Sequence, residues 1–305
     1  MKVWITGANG MVGRNLQEGA PVNLTLLTPS RSELDLSNFQ QVKSFVKQNS
    51  PDVVIHAAGL VGGIQANIAR PLDFFIQNLE IGKNVVLASF EAGIKKFLNL
   101  GSSCMYPRNA PNPLKEELIL TGELEPTNEG YALAKISIAR LCDYIRTQHP
   151  EFSYKTLIPC NLYGKYDKFD PKHSHMIPAV ILKMHLAKLR GDKTLEIWGD
   201  GLARREFMYA GDLSRIVWTC LEKLEELPPY LNVGLGHDYS ILEYYKAVSR
   251  VLEYLPEYTF DLSKPTGMKQ KLVDVSLMKN LGLTSQESLD SGLKKTYQYF
   301  LEECQ

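Results

Sequence analysis

The sequence predicts an α/β protein: a doubly wound parallel sheet followed by a smaller, discontinuous C-terminal lobe. Three observations predict it. A glycine triplet lies between a strand and a helix at the chain start, and short apolar runs then alternate with helical periodicity. After Gly164 the pattern turns basic, proline-punctuated and less regular.

Val3-Trp4-Ile5-Thr6 reads as a short buried strand, and Gly7-Ala8-Asn9-Gly10-Met11-Val12-Gly13 follows at once. Arg14-Asn15-Leu16-Gln17 then reads as helix. Glycines at 7, 10 and 13 allow a tight turn and close backbone approach to a pyrophosphate at a helix N-terminus, where free N–H groups and the helix dipole favour negative charge. The spacing is Gly-x-x-Gly-x-x-Gly, a variant of the better-known dinucleotide fingerprint, and it makes the sheet Rossmann-type.

Leu24–Leu27, Val53–Ala57, Phe97–Leu100 and Lys155–Pro159 are the next strands, with helical stretches over 38–48, 72–92 and 131–147. Strands alternating with helices imply right-handed parallel crossovers, with ligands beyond the strands' carboxyl ends. Ile76, Leu79, Val86 and Phe90, with Leu133, Ile136 and Tyr144, exceed what covering a sheet requires. A second buried face on helices 72–92 and 131–147 predicts a homodimer. Residues 1–164, with a returning segment near 207–235, form the expected dinucleotide domain, and 165–206 plus 236–305 form the substrate lobe. Leu227-Pro228-Pro229 reads as a turn, and no internal repeat is visible.

Lys+Arg and Asp+Glu balance at 34 each over 305 residues, which leaves no footprint for nucleic acid or an acidic membrane. The first strand begins at residue 3, leaving no room for a signal peptide, and no apolar run reaches membrane-spanning length. A cytoplasmic enzyme is expected. The five cysteines, at 104, 142, 160, 220 and 304, are odd in number and lack Cys-x-x-Cys pairs. That pattern predicts reduced thiols and no metal site.

Tyr131 and Lys135 lie four residues apart, one helical turn, on one face. A phenol titrates near ~10, so a neighbouring ammonium that favours the phenolate would bring it toward the working pH. By itself the spacing also suits an ordinary helix with a tyrosine at the core rim and a solvated lysine.

The chain resembles the extended short-chain dehydrogenase/reductases, and within them the GDP-L-fucose synthase (GDP-4-keto-6-deoxymannose epimerase-reductase) family. The resemblance rests on His56-Ala57-Ala58, Val61-Gly62-Gly63-Ile64, Gly101-Ser102-Ser103-Cys104-Met105-Tyr106-Pro107 and Leu124-Glu125-Pro126-Thr127-Asn128-Glu129. Asn161-Leu162-Tyr163-Gly164, Ser174-His175-Met176-Ile177-Pro178, Arg205-Glu206-Phe207 and Lys264-Pro265-Thr266-Gly267 extend it.

The resemblance implies that Ser102 hydrogen-bonds a 4-keto oxygen beside Tyr131. Tyr131 would give the proton as hydride reaches C4, and Lys135 would lower its pKa and hold the nicotinamide ribose. Ser103 is the rival serine, but adjacent residues at a strand end point opposite ways. Cys104 and His175 match the pair that inverts C3 and C5, one acting as base and the other as acid. His173 matches no role and is expected to be exposed.

For the cofactor, Thr28-Pro29-Ser30-Arg31-Ser32 carries no acid until Glu33, and Arg31 suits a 2′-phosphate, so NADP(H) is expected. Gly7, Gly10, Met11, Val12 and Gly13 would cradle its pyrophosphate, Asp35 and Leu36 would border the adenine, and Ala57 and Ala58 the phosphates and ribose. Asn161 and Leu162 would lie near the nicotinamide or the sugar. Met176, Lys183, Trp198, Arg205 and Lys271 would bind a GDP-sugar, with Lys264 and Lys269 as rivals to Lys271.

Lys183 stands where the family has arginine, Asn9 where it has a basic residue, Gly130 where it has larger residues, and Lys165 where it has proline. These departures leave open a pure C4 reductase on a GDP-6-deoxy-4-keto-hexose or heptose. A cofactor-sensing binding protein that has lost catalysis is a further alternative, opposed by the intact Ser102, Tyr131 and Lys135.

Overall fold

The structure is a computed structural model that describes residues 1–170, 174–264 and 267–304. Six strands form one parallel sheet, in the order Tyr230–Val233, Ser153–Pro159, Lys96–Leu100, Val53–His56, Lys2–Thr6 and Thr25–Leu27. The order reverses between Lys2–Thr6 and Val53–His56, where the cleft opens. Strand residues alternate between two apolar layers: Val3, Ile5, Val53, Ile55 and Leu98 face one, and Trp4, Val54 and Phe97 the other. Burial on both faces explains why these runs are almost continuously apolar.

The first helix is Met11–Glu18, beginning three residues earlier than the sequence suggests. Met11, Val12 and Gly13 therefore occupy its first turn rather than the loop. Helices Pro71–Glu91 and Glu129–Gln148 pack against each other, and a Cβ on Gly82 would lie 2.5 Å from Ile138 Cγ1. This contact, with the sheet, absorbs much of the expected apolar surplus. Val86 and Ile136 are buried, and Leu79 and Phe90 pack against the core. Ile76, Leu133 and Tyr144 remain exposed, as does Leu72.

Beyond Gly164 the chain is more regular than its composition suggests. Met176–Arg190 is a 15-residue helix that closes on Gly191 in the left-handed region at φ 70°. It packs with helices Ile241–Leu252 and Leu289–Glu303 around a separate apolar cluster including Tyr163, Ile177, Met184, Tyr244 and Phe300. A small sheet of Tyr239–Ser240, Arg204–Arg205 and Gln270–Lys271 sets Arg205 opposite Lys271. His173, Pro265 and Thr266 lie outside the described residues.

Candidate active site

A cleft of about 1350 Å³ lies over the carboxyl ends of the sheet strands. Its floor is the glycine loop. Gly7 has φ +68°, and a Cβ there would lie 2.7 Å from Ala58 Cα; at Gly13 a Cβ would meet the Gly7 carbonyl oxygen at 2.3 Å. Both glycines are required by the protein's own packing. Gly10 is different, because a Cβ there would touch only that same oxygen, at 3.4 Å. Gly10 is also the N-cap of Met11–Glu18 and carries no capping side chain. Open space above an uncapped helix N-terminus fits a pyrophosphate.

The opposite wall rests on a buried relay. Ala58 N–H donates to Thr6 Oγ1 at 3.1 Å, and Thr6 Oγ1 bonds His56 Nδ1 at 2.8 Å. Burial, then the Lys135 charge, drives the His56 pKa down to about 3, so the ring is neutral. Farther along, Arg31, Asp35, Leu36 and Ser37 line the cleft. Asp35 accepts from the Ser37 hydroxyl at 2.8 Å and its N–H at 3.0 Å, which hold the carboxyl below its ordinary range; Arg31 adds a smaller effect. Asn84 fixes this turn through the Leu36 and Ser37 carbonyls, at 3.0 and 2.8 Å.

At the centre of the cleft, Glu129–Gln148 presents Tyr131 and Lys135 one turn apart. Lys135 Nζ donates to the Leu100 carbonyl at 2.9 Å and lies 5.8 Å from the Tyr131 ring centroid. The net shift of the Tyr131 pKa in this cleft runs opposite to the one expected from a neighbouring ammonium. Burial raises Tyr131 well above the ordinary phenol range, the Cys104 charge adds to it, and the nearby Ser102 hydroxyl opposes it. Lys135 is itself lowered by burial to about 8.

Ser102 does two jobs. Its Oγ accepts the Cys104 N–H at 3.2 Å, capping the short turn Ser103–Met105, and its hydroxyl lies near enough to Tyr131 to favour the phenolate. Ser103 is buried and does not line the cleft. Cys104 is half-buried, with Asn128 Nδ2 at 3.1 Å and Lys271 Nζ at 3.3 Å from its sulfur. Burial favours the thiol, but the Lys271 charge and hydrogen bonds from Ser102, Lys271 and Asn128 outweigh it, so the Cys104 pKa is lowered. His175 lines the same cleft at the N-cap of Met176–Arg190, and burial, then the Lys271 charge, lowers its pKa and favours the neutral ring.

Asn161 lines the cleft and donates to the Glu206 carbonyl at 3.0 Å, and Leu162 lies beside it. Met176, Lys183, Trp198 and Arg205 line the outer part. Lys183 donates to the Glu196 carbonyl at 2.5 Å. Trp198 is 40 % exposed, with Lys264 Nζ 5.7 Å from its ring centroid. Lys264 and Lys269 are not among the lining residues, and Lys271 is. Every residue expected at the site thus borders one cleft. Lys271, expected at the sugar nucleotide, stands on the Cys104 sulfur. Sequence reasoning gave no role to Asn128, Thr6 or the buried Glu206 carboxylate, which accepts from the Leu235, Gly236 and Val273 N–H groups at 2.6, 2.8 and 3.0 Å. Asn128 could have been noticed as the residue just before the helix that carries Tyr131. Among the described residues, no His, Cys, Asp and Glu cluster could hold a metal ion.

A glycine loop at a sheet's switch point, with serine, tyrosine and lysine converging beside it, defines a dinucleotide-dependent oxidoreductase. The chain belongs to the NAD dependent epimerase/dehydratase family, which matches residues 3–236, in the extended short-chain dehydrogenase/reductase branch that holds the GDP-L-fucose synthases. It is 51% identical over 304 residues to a GDP-L-colitose synthase of Yersinia pseudotuberculosis, covering 99% of each chain. It is 48% identical over 301 residues to a GDP-L-fucose synthase of Azorhizobium caulinodans, covering 98% of this chain and 96% of that one. Among solved structures, a GDP-mannoheptose C4 reductase from Campylobacter jejuni with NADP bound matches with TM-score 0.89 and 35% identity, covering 98% of both chains.

Proposed function

We propose that the protein catalyses NADPH-dependent epimerisation at C3 and C5 and reduction at C4 of a GDP-4-keto-6-deoxy sugar, giving GDP-L-fucose or a close analogue. One observation carries the reading. Ser102, Tyr131, Cys104 and His175 line one cleft, with Ser102 Oγ accepting the Cys104 N–H, so a ketone bound at Ser102 meets the reducing and the epimerising groups together.

C3 and C5 both flank the C4 ketone. A proton removed from either leaves charge that delocalises onto the ketone oxygen, where Ser102 and Tyr131 donate hydrogen bonds as an oxyanion hole does. Cys104 and His175 act as the base and acid of the inversion. Bound NADPH supplies a hydride to C4. The raised Tyr131 pKa keeps the phenol protonated, ready to give its proton to the C4 oxygen. Gly7, Gly10, Met11, Val12 and Gly13 would hold the cofactor pyrophosphate, Arg31 its 2′-phosphate and Lys135 its ribose. Residues 165–206 with 236–305 form the sugar-nucleotide lobe, in which Lys183, Trp198 and Arg205 take the GDP moiety.

Likeness to the Campylobacter reductase favours a second reading, C4 reduction without epimerisation on a GDP-6-deoxy-4-keto-hexose or heptose. Turnover of GDP-4-keto-6-deoxymannose in deuterated water, followed by NMR, decides between them. Deuterium at C3 and C5 of the product supports epimerisation, and product formed without it leaves the reductase reading. Exposed Leu72, Ile76, Leu133 and Tyr144 on the paired helices support a homodimer, testable by light scattering. No helix among the described residues is long and apolar enough to cross a membrane.

A further inference from the structure

Asn128 occupies the N-cap position of the helix Glu129–Gln148 without capping it. Asparagine is favoured there because its side-chain oxygen accepts a free N–H of the first turn. Here Oδ1 is buried with no hydrogen-bond partner, while Nδ2 reaches the Cys104 sulfur at 3.1 Å. An unsatisfied buried oxygen and a forgone cap both cost stability, so the contact with Cys104 is where a compensating role is to be sought.

On the same sulfur lies Lys271 Nζ, at 3.3 Å, delivered from 167 residues away by the strand Gln270–Lys271. The sulfur is therefore faced by two nitrogen donors, one of them cationic. A neutral thiol is a weak acceptor, whereas a thiolate accepts such bonds strongly. Among the described residues, Tyr131, Lys135 and Arg205 also feel the Cys104 charge. Arg205 and the two lysines favour the anion.

We propose that Asn128 and Lys271 are positioning residues that hold Cys104 as a thiolate, the state required of the base in epimerisation. This rests on the role given to Cys104 above. The thiolate takes a proton from a carbon beside the ketone: an S–H bond forms, a C–H bond breaks, and the electron pair moves onto the ketone oxygen. Asn128 and Lys271 touch the sulfur and act through it. Lys271, read from the sequence as a sugar-nucleotide ligand, thereby gains a task at the reacting centre.

The test is the pH dependence of Cys104 alkylation by iodoacetamide, read by mass spectrometry of the Cys104 peptide in full-length protein. The exposed Cys304 is replaced by serine. The wild-type midpoint should lie below the free-thiol value of ~8.5. Asn128→Leu keeps the approximate shape and removes the donors without adding charge, and Lys271→Gln removes the charge. Each should raise the midpoint by about one pH unit or more. The proposal falls if the midpoint stays put in both variants, or if wild type reacts as an ordinary thiol. Thiol reactivity needs no sugar, so the two ideas fail separately. Shifted midpoints with no deuterium at C3 or C5 in wild-type turnover would remove the epimerase reading and leave the thiolate cradle standing. Deuterium incorporation with unmoved midpoints would do the reverse.

Discussion

The Lys135 ammonium stands 5.8 Å from the centre of the Tyr131 ring and donates a 2.9 Å hydrogen bond to the Leu100 carbonyl. It is therefore fastened to the strand end beside Ser102, not to the phenol. Burial keeps Tyr131 protonated, while Lys135 loses its proton near pH 8.

This predicts which group sets the alkaline limb of the rate. The lysine pKa is lowered, so the charged form exists below about 8 and is lost above it. kcat/KM, which reports ionisations of the free enzyme, should fall as pH rises through that value. Lys135→Arg, with a side chain that stays charged, should move the limb upward. An unmoved limb would assign it to another group.

The glycine loop separates two kinds of glycine. Gly13→Ala drives a Cβ to 2.3 Å from the Gly7 oxygen and 2.5 Å from Ala8 Cα, both backbone atoms, and should lower Tm and abolish NADPH binding together. Gly10→Ala meets protein only at 3.4 Å and should fold with Tm nearly unchanged. Its NADPH affinity should nonetheless fall, because the methyl enters the space left for pyrophosphate. Thermal melts and fluorescence titration of NADPH would show whether the two variants separate in this way.

Ser102→Ala should slow both halves of the reaction, since one hydroxyl serves the oxyanion in each. Loss of one such donor costs roughly 10²–10³ in rate. Deuterium exchange and NADPH oxidation, measured in parallel, should drop together. A fall in only one would separate the two chemistries.

His56 predicts acid sensitivity of the fold. Its pKa falls from 6.5 in the unfolded chain to about 3 when buried. Between those values the unfolded chain binds a proton that the folded chain refuses, so stability is full above 6.5 and is lost as pH falls toward 3. The slope from this group is about 1.4 kcal/mol per pH unit. Urea unfolding between pH 4 and 7 should give a shallower slope for His56→Asn than for wild type.

Much of this was legible in the residues. Apolar runs buried on both faces marked the strands, and Gly7, Gly10 and Gly13 marked the loop. The four-residue spacing of Tyr131 and Lys135 placed them on one helix face. Ser102 was separable from Ser103 because neighbours at a strand end diverge. What the sequence withheld depends on burial and on distant chain. Burial reverses the expected effect on Tyr131, a desolvation that no spacing reports. Lys271 reaches Cys104 only because a two-residue strand pairs Lys271 with Arg205. Asn128 is hidden for another reason: its position announces a helix cap, and its side chain turns elsewhere. The apolar surplus on helices Pro71–Glu91 and Glu129–Gln148 looked larger than it is, because the two helices bury part of it against each other.

The central claim is that the Tyr131 phenol delivers the proton to the reduced ketone. NADPH oxidation by Tyr131→Phe with GDP-4-keto-6-deoxymannose tests it most directly, alongside a titration confirming that cofactor still binds. Loss of a proton donor costs about 10²–10⁴ in rate, so turnover should nearly vanish while NADPH affinity holds. Reduction at the wild-type rate would contradict the account.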